Sequence, residues 1–352
     1  MITQGPSAGS GHVSGPYKII QVGLGQWGVS WGTKVVPSLG DVEVVGWVDR
    51  SEQARTAFRD LTGVAESSLH GTLTEALAAN PDCRIVLAPV AWPAHYAVAQ
   101  EALAAGCHLL LEKPLTVDAG QAAELAELAE ARGVVFAIDQ NYRWGAAVPV
   151  VRESIRSGRL GRLRSVSVRW HRDHGGVRSH ALIELAIHHL DLARHLFDAN
   201  GRSVTCVPHT PLADRLDPTT GADALITLES GLVINYRLST DGTGPTTGWP
   251  GRWTISGDGA LLTWGEDTFD GEPDAQCVTL TAPDGMITRL PVPERTGPGD
   301  RAGVLREFLD AADGRGTPTS PAADNRHSVA LLDALLTSAA SGRTESVAGS
   351  RS

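Results

Sequence analysis

The stretch HLLLEKP, residues 108 to 114, carries Lys113, one of three lysines in a chain with twenty-seven arginines. Arginine is locked in its charged form, whereas lysine holds a compact ammonium on a flexible stem and shifts its pKa when partly buried. A lysine where composition would have supplied arginine points to a chemical need. A second group lies in IELAIHHLDLARHLF, residues 183 to 197. Glu184, His188 and Asp191 fall at i, i+4 and i+7 and share one helical face, while Leu182, Leu185, Leu192 and Leu196 can turn to a core and His189 points elsewhere. A histidine near its ordinary pKa can take a proton at neutral pH, although a surface or capped histidine is the simpler account of this helix by itself.

The third group is GLGQWG, residues 23 to 28, in which Gly23, Gly25 and Gly28 enclose Gln26 and Trp27. In a strand-to-helix turn the first glycine permits the bend, the second lets a pyrophosphate approach the backbone, and the third lets helix and strand pack closely. VEVVGWVD follows, and its Asp49 can accept hydrogen bonds from the adenosine ribose hydroxyls while repelling a 2′-phosphate. Arg50 beside it could instead meet that phosphate, so NAD is preferred to NADP without excluding it. The plainer account is a glycine-rich turn followed by a strand-capping aspartate. HRDH offers His171 and His174, but an i, i+3 pair on a strand faces opposite sides, so no metal is assigned.

The elements that must position these groups fall into two grammars. YKIIQVGLG, VEVVGWVD, RIVLAPV, HLLLEKP and VVFAIDQN are short β-branched or apolar runs, separated by amphipathic segments such as SEQARTAFRDLTG, PAHYAVAQEALAAG and VDAGQAAELAELAEARG. That alternation predicts a parallel sheet with crossover helices, ending near Asn141. After a helix over 148–157 the pattern becomes antiparallel: LRSVSVRWHR, ADALITLES, LVINYRLST, GRWTISG, ALLTWGED and AQCVTLTAP, interrupted by the helix of the second group. Two helices, over 300–312 and 322–340, close the chain.

Composition narrows the function. A net charge of −10 argues against a general nucleic-acid or anionic-membrane surface. No apolar run reaches the eighteen or so residues of a membrane span. The first fifteen residues read as a flexible tail without the features of a signal peptide. Cys83, Cys107, Cys206 and Cys277 show no CxxC spacing, which fits a reducing cytoplasm better than a disulfide framework.

Taken in order, GLGQWG, the Glu112–Lys113–Pro114 triplet, NYRWGAAVP from Asn141 and HHLDLARHLF closely resemble the glucose-fructose oxidoreductase, inositol dehydrogenase and MocA family. The resemblance covers nearly the whole chain, including SGRLGRLRSVSV and the segment from Arg306 onward. It implies an α/β architecture: a Rossmann domain with a doubly wound parallel sheet over residues 16–141, then an α+β domain over 142–345 with an open, mainly antiparallel sheet. That sheet would leave a broad apolar face, and the family commonly uses it to form dimers or tetramers. It further implies hydride transfer between NAD(H) or NADP(H) and a hydroxyl or ketone of a sugar or cyclitol. The family's lysine, carried over to Lys113, touches the reacting hydroxyl, and its helical histidine and following aspartate carry over to His188 and Asp191. Glu112 and His95 fall where the cofactor passes, although packing suffices to explain His95. Arg143 and Trp144 fall at the pocket entrance, or on an exposed turn. Glu184 stands where the family commonly has aspartate and reaches one methylene further. On this reading His188, near its ordinary pKa, takes the hydroxyl proton, Lys113 steadies the alkoxide, and Trp170, Trp249 or Trp253 could stack on a sugar ring. The rival reading is a non-enzymatic sensor of NAD(P) that binds a partner.

Overall fold

The computed structural model describes residues 15–173 and 180–350; His174 and the first fourteen residues of the tail lie outside them. The first half forms a six-stranded parallel sheet from β1 (Tyr17–Val22), β2 (Val42–Val48), β3 (Leu69–His70), β4 (Ile85–Ala88), β5 (His108–Leu111) and β6 (Phe136–Ile138). Their order is β3-β2-β1-β4-β5-β6. This is the doubly wound arrangement in which the order reverses between β1 and β4, opening a crevice at the carboxyl ends of those strands. The crossover helices start as their sequences direct. Ser51 caps Glu52–Thr62 through Ala54 N, and Asp118 caps Ala119–Arg132 through Gln121 N.

The second half builds a nine-stranded sheet from β7 (Leu163–His171), β8 (Gly201–Pro208), β9 (Gly221–Leu228), β10 (Val233–Ser239), β12 (Arg252–Gly257), β13 (Leu261–Trp264), β15 (Val278–Thr281), β16 (Ile287–Arg289) and β17 (Glu345–Ser346), with β11 (Thr246–Thr247) and β14 (Asp267–Thr268) pairing apart from it. All its pairings are antiparallel except β7 with β10. Period-two alternation sends Val166, Val168, Ile234, Tyr236 and Ile255 inward against the helices and Ser165, Ser167, Asn235, Arg237 and Thr254 outward. The open face is therefore mostly polar, with Val207, Leu225, Val233 and, on the edge strand β16, Ile287 the main exposed apolar residues among these strands. The broad apolar face expected from the resemblance is absent from the described residues, because each strand spends its hydrophobic side on the core.

The two closing helices cross back to the first half. Val304, Leu305, Phe308 and Leu309 of the helix Asp300–Ala312 pack with Ile19, Trp31, Leu87 and Leu110 on one face of the parallel sheet. The helix Ala322–Ser341 touches both cores, Val329 joining the first and Leu331, Leu332, Leu335 and Leu336 the second.

Candidate active site

The turn after β1 is shaped by contacts that only glycine allows. Gly23 has φ +104, and a Cβ there would lie 2.9 Å from the Pro89 carbonyl oxygen. A Cβ on Gly28 would overlap the carbonyl oxygen of Gly23, whereas one on Gly25 would meet nothing within 4 Å. The middle glycine thus leaves open space at the start of the helix Gln26–Ser30, where backbone N–H groups favour an anion. Gln21, which sequence reasoning passed over, braces this loop from below: its buried amide donates to the carbonyls of Gly23 and Gly28 at 3.0 and 2.9 Å.

A cleft of about 440 Å³ opens beside the turn and is lined by Gly23, Gly25, Gln26, Trp27, Asp49 and Arg50. Asp49, directly after β2, is oriented by the N–H groups of Leu24 and Ser51, each 2.9 Å from one carboxylate oxygen. Arg50 is exposed. These groups fit a dinucleotide: an open glycine for the diphosphate and a fixed carboxylate for a ribose.

His95 does not join them. It is 1% exposed, and its two ring nitrogens face the carbonyls of Pro114 and Val90. Burial pushes its pKa down. It is a wedge between two loops, which corrects the expectation that it meets the cofactor. Glu112 is also buried, its carboxylate accepting from Trp31 Nε1 at 2.7 Å and from the Lys113 N–H at 3.3 Å.

The parallel sheet then delivers Lys113 to the histidine helix. Lys113 follows β5, and its Nζ donates to the Glu184 carbonyl at 2.8 Å. Glu184 sits in a π-helical turn, Leu182–Ala186, that precedes the α-helix Ile187–Phe197; such turns recur at functional sites. His188 lies one turn on, 6% exposed and stacked on Tyr142 with ring centroids 4.1 Å apart. Its pKa is pushed well below the ordinary 6.5, first by burial and then by the nearby Lys113 and His189. This departs from the expected ordinary value and fixes the ring as neutral imidazole at pH 7. Tyr142 was within a quoted motif, but nothing in its spacing marked it as a stacking partner.

Asp191 and Arg143 do different work from that expected. Asp191 is 1% exposed and pairs with Arg143 through both oxygens at 2.6 and 2.7 Å, while Ser328 and Asn325 donate to it at 2.7 and 3.1 Å. Arg143 is therefore buried and neither on an exposed turn nor free for substrate; its remaining donors go to Asp324 and the Thr319 carbonyl. Although burial pushes the Asp324 carboxyl up, the guanidinium groups of Arg194 and Arg143 hold it at about 2. Trp144 packs against Gly303 on the helix Asp300–Ala312 with Arg295 5.3 Å over its ring.

Behind Lys113 lies a carboxyl that the sequence did not flag. Asp139 follows β6 and stands next to Glu112 in the register that pairs Leu111 with Ile138. It is 2% exposed with no ion pair among the described residues, and burial, then Glu112 and Asp300, push its pKa well up.

Comparison with known proteins bears on this geometry. Residues 17–140 match the model of an oxidoreductase family with an NAD-binding Rossmann fold, and residues 149–263 match that of the GFO/IDH/MocA C-terminal domain. The chain is 23% identical over 320 residues to the 1,5-anhydro-D-fructose reductase of Ensifer adhaerens, covering 87% of this chain and 91% of that protein. It is 29% identical over 198 residues to the D-glucoside 3-dehydrogenase of Escherichia coli, covering 53% and 56%. Among solved structures, an oxidoreductase from Agrobacterium radiobacter in complex with NAD⁺, L-tartaric acid and magnesium superposes with a TM-score of 0.78 at 18% identity, covering 94% of this chain and 98% of that one.

Proposed function

The chain belongs to the GFO/IDH/MocA family of NAD-binding oxidoreductases, and from that premise we propose that it moves hydride between NAD and a secondary hydroxyl or ketone of a sugar or cyclitol. One observation carries the reading. Lys113 and Glu184, 71 residues apart, meet at 2.8 Å where β5 ends, and His188 stands one helical turn beyond. An ammonium held by the Glu184 backbone carbonyl and a neutral imidazole one turn on, at the carboxyl edge of a dinucleotide-binding sheet, suit the oxidation of a hydroxyl, and sugars or their derivatives are named for two relatives.

Gly25, the N–H groups of the helix that follows it, and Asp49 would hold the dinucleotide. When bound, its nicotinamide supplies the acceptor or donor of hydride. Lys113 Nζ holds the reacting oxygen and stabilises the negative charge that grows on it as its proton leaves. Neutral His188 accepts that proton, and its low basicity when buried favours returning it in the reverse direction. The Glu184 carboxylate accepts from a neighbouring hydroxyl and so orients the ring.

Incubation with NAD⁺ and a panel of sugars and cyclitols tests the reading by the absorbance of reduced cofactor; binding of NAD⁺ without turnover of any member would refute it. For the cofactor itself, the Asp49 carboxylate repels a 2′-phosphate. Isothermal titration is expected to give tighter binding of NAD⁺ than of NADP⁺, with the gap narrowed in Asp49→Ala. A roughly tenfold preference for NADP⁺ in the unmodified protein would overturn the assignment and leave Arg50 as the reader.

A further inference from the structure

Trp31, Trp170 and Trp253 are fully buried, whereas Trp27 is 57% exposed and lines the cofactor cleft. It lies two residues past the open Gly25, in the helix Gln26–Ser30 whose first N–H groups favour a diphosphate. An exposed indole can serve as a wall of that cleft only if something holds it. Arg301 supplies the restraint. Trp27 and Trp31 are four residues apart, one helical turn, and the Arg301 guanidinium lies over both rings, 5.0 Å from one centroid and 5.4 Å from the other. Its Nη2 also donates to Ser30 Oγ at 3.0 Å. A planar, forked cation can stack on indoles and donate sideways at once, which a lysine cannot. Arg301 comes from far along the chain, as the second residue of the helix Asp300–Ala312. The residue before it is strained: Asp300 has φ +52, a left-handed conformation that costs a non-glycine residue and persists where neighbouring contacts hold it. Asn141 donates to the Asp300 carboxylate, and Val304, Leu305, Phe308 and Leu309 seat the helix on the parallel sheet. Arg301 is thus aimed at the glycine turn from a fixed support. Through Trp31, whose Nε1 donates to Glu112 at 2.7 Å, the same contact reaches the residue before Lys113.

We propose that Arg301 is a positioning residue for the dinucleotide: it holds Trp27 as a wall of the cleft, so that cofactor binding and the docking of the helix Asp300–Ala312 are coupled. The proposal deepens the reading of the cofactor cleft above and rests on it. The portion of the cofactor concerned is ADP-ribose, because Trp27 shares the cleft with Gly25 and Asp49. Coupling of this kind is reciprocal: whatever the docked helix adds to cofactor affinity, bound cofactor adds to the docking of the helix. Because Arg301 already fixes the indole, little freedom is lost when the ligand meets it.

Hydrogen exchange on the full unmodified chain, with and without saturating ADP-ribose, tests the coupling without any substitution. Slower exchange is expected across the helix Asp300–Ala312 as well as at the glycine turn. Protection of the glycine turn alone, or of neither, overturns the proposal. Isothermal titration of ADP-ribose then assigns the coupling to residues. Arg301→Gln and Trp27→Ala are each expected to weaken it about tenfold, and the double variant also about tenfold, because both changes remove one wall. A roughly hundredfold loss in the double variant would show two independent effects and overturn the proposal, as would affinity within about twofold of the unmodified protein in Arg301→Gln. Turnover is followed separately with NAD⁺ and the sugar panel. Helix protection with no sugar oxidised sinks the redox reading and leaves the coupling standing, and turnover with an unprotected helix does the reverse.

Discussion

At the scale of single residues, Lys113 and His188 carry the sharpest expectations. His188→Ala and Lys113→Ala are each expected to lower kcat by roughly two to four orders of magnitude, with NAD⁺ affinity held within a few-fold. Lys113→Arg is not expected to rescue, because a planar guanidinium cannot place one compact charge at the same point. Near-full activity in His188→Ala would move the search for the base to Glu184. Lys113 stood out in the sequence by its rarity and Glu184 and His188 by their helical spacing, and the fold brings Lys113 to the Glu184 carbonyl. The protonation of His188 was not legible there, because its pKa depends on burial and on Lys113, 75 positions away in the chain. Arg143 was misplaced for a related reason: its partner Asp191 lies 48 residues on, and only the folded chain shows the guanidinium to be engaged. His95 opens the helix His95–Ala104 next to the cofactor cleft, where adjacency in sequence says nothing of which way a ring turns.

Elements set the next layer. The ends of β5 and β6 bring Glu112 and Asp139 side by side, with Lys113, Asp300 and Arg301 the other charges acting on Asp139. The Asp139 carboxyl has a folded-state pKa above its ordinary 3.8, so between the two values the folded chain binds more protons than the unfolded one. Its contribution to stability is whole below the ordinary value and is lost as pH climbs through the raised one. Urea midpoints at pH 5 and pH 8 are expected to fall in that order, and Asp139→Asn to flatten the difference; an equal slope in the variant would show that another group titrates. Asp191 ties the histidine helix to the helix Ala322–Ser341 through Ser328 and Asn325. Asp191→Ala leaves Arg143 buried without its main partner, and a loss of about 3–5 kcal/mol in urea denaturation is expected. A loss under about 1 kcal/mol would mean that Asp324 alone satisfies the guanidinium. The crossover grammar of the first half was readable because period and length agree with capping residues such as Ser51 and Asp118. β8 was missed, although Val204 and Cys206 alternate inward along it, and two-residue β3 and β17 are too short to leave a pattern.

For the molecule as a whole, the outward face of the nine-stranded sheet decides how copies would meet. Serines, threonines, an asparagine and arginines dominate it, and interfaces of ordinary polarity form between such faces when charges and shape match. We expect light scattering to give a dimer or tetramer, weakening as salt rises, and a clean 37.1 kDa monomer at micromolar concentration in low salt would end that expectation. The return of the helix Asp300–Ala312 to the parallel sheet has a different kind of consequence. Phe308 and Leu309 cover Ile19, Leu87 and Leu110, so the dinucleotide-binding half is completed by a helix that is made long after it. A gene cut after residue 141 would encode a sheet with one apolar flank uncovered. Recombination between relatives at that point would therefore part an apolar flank from the helix fitted to it.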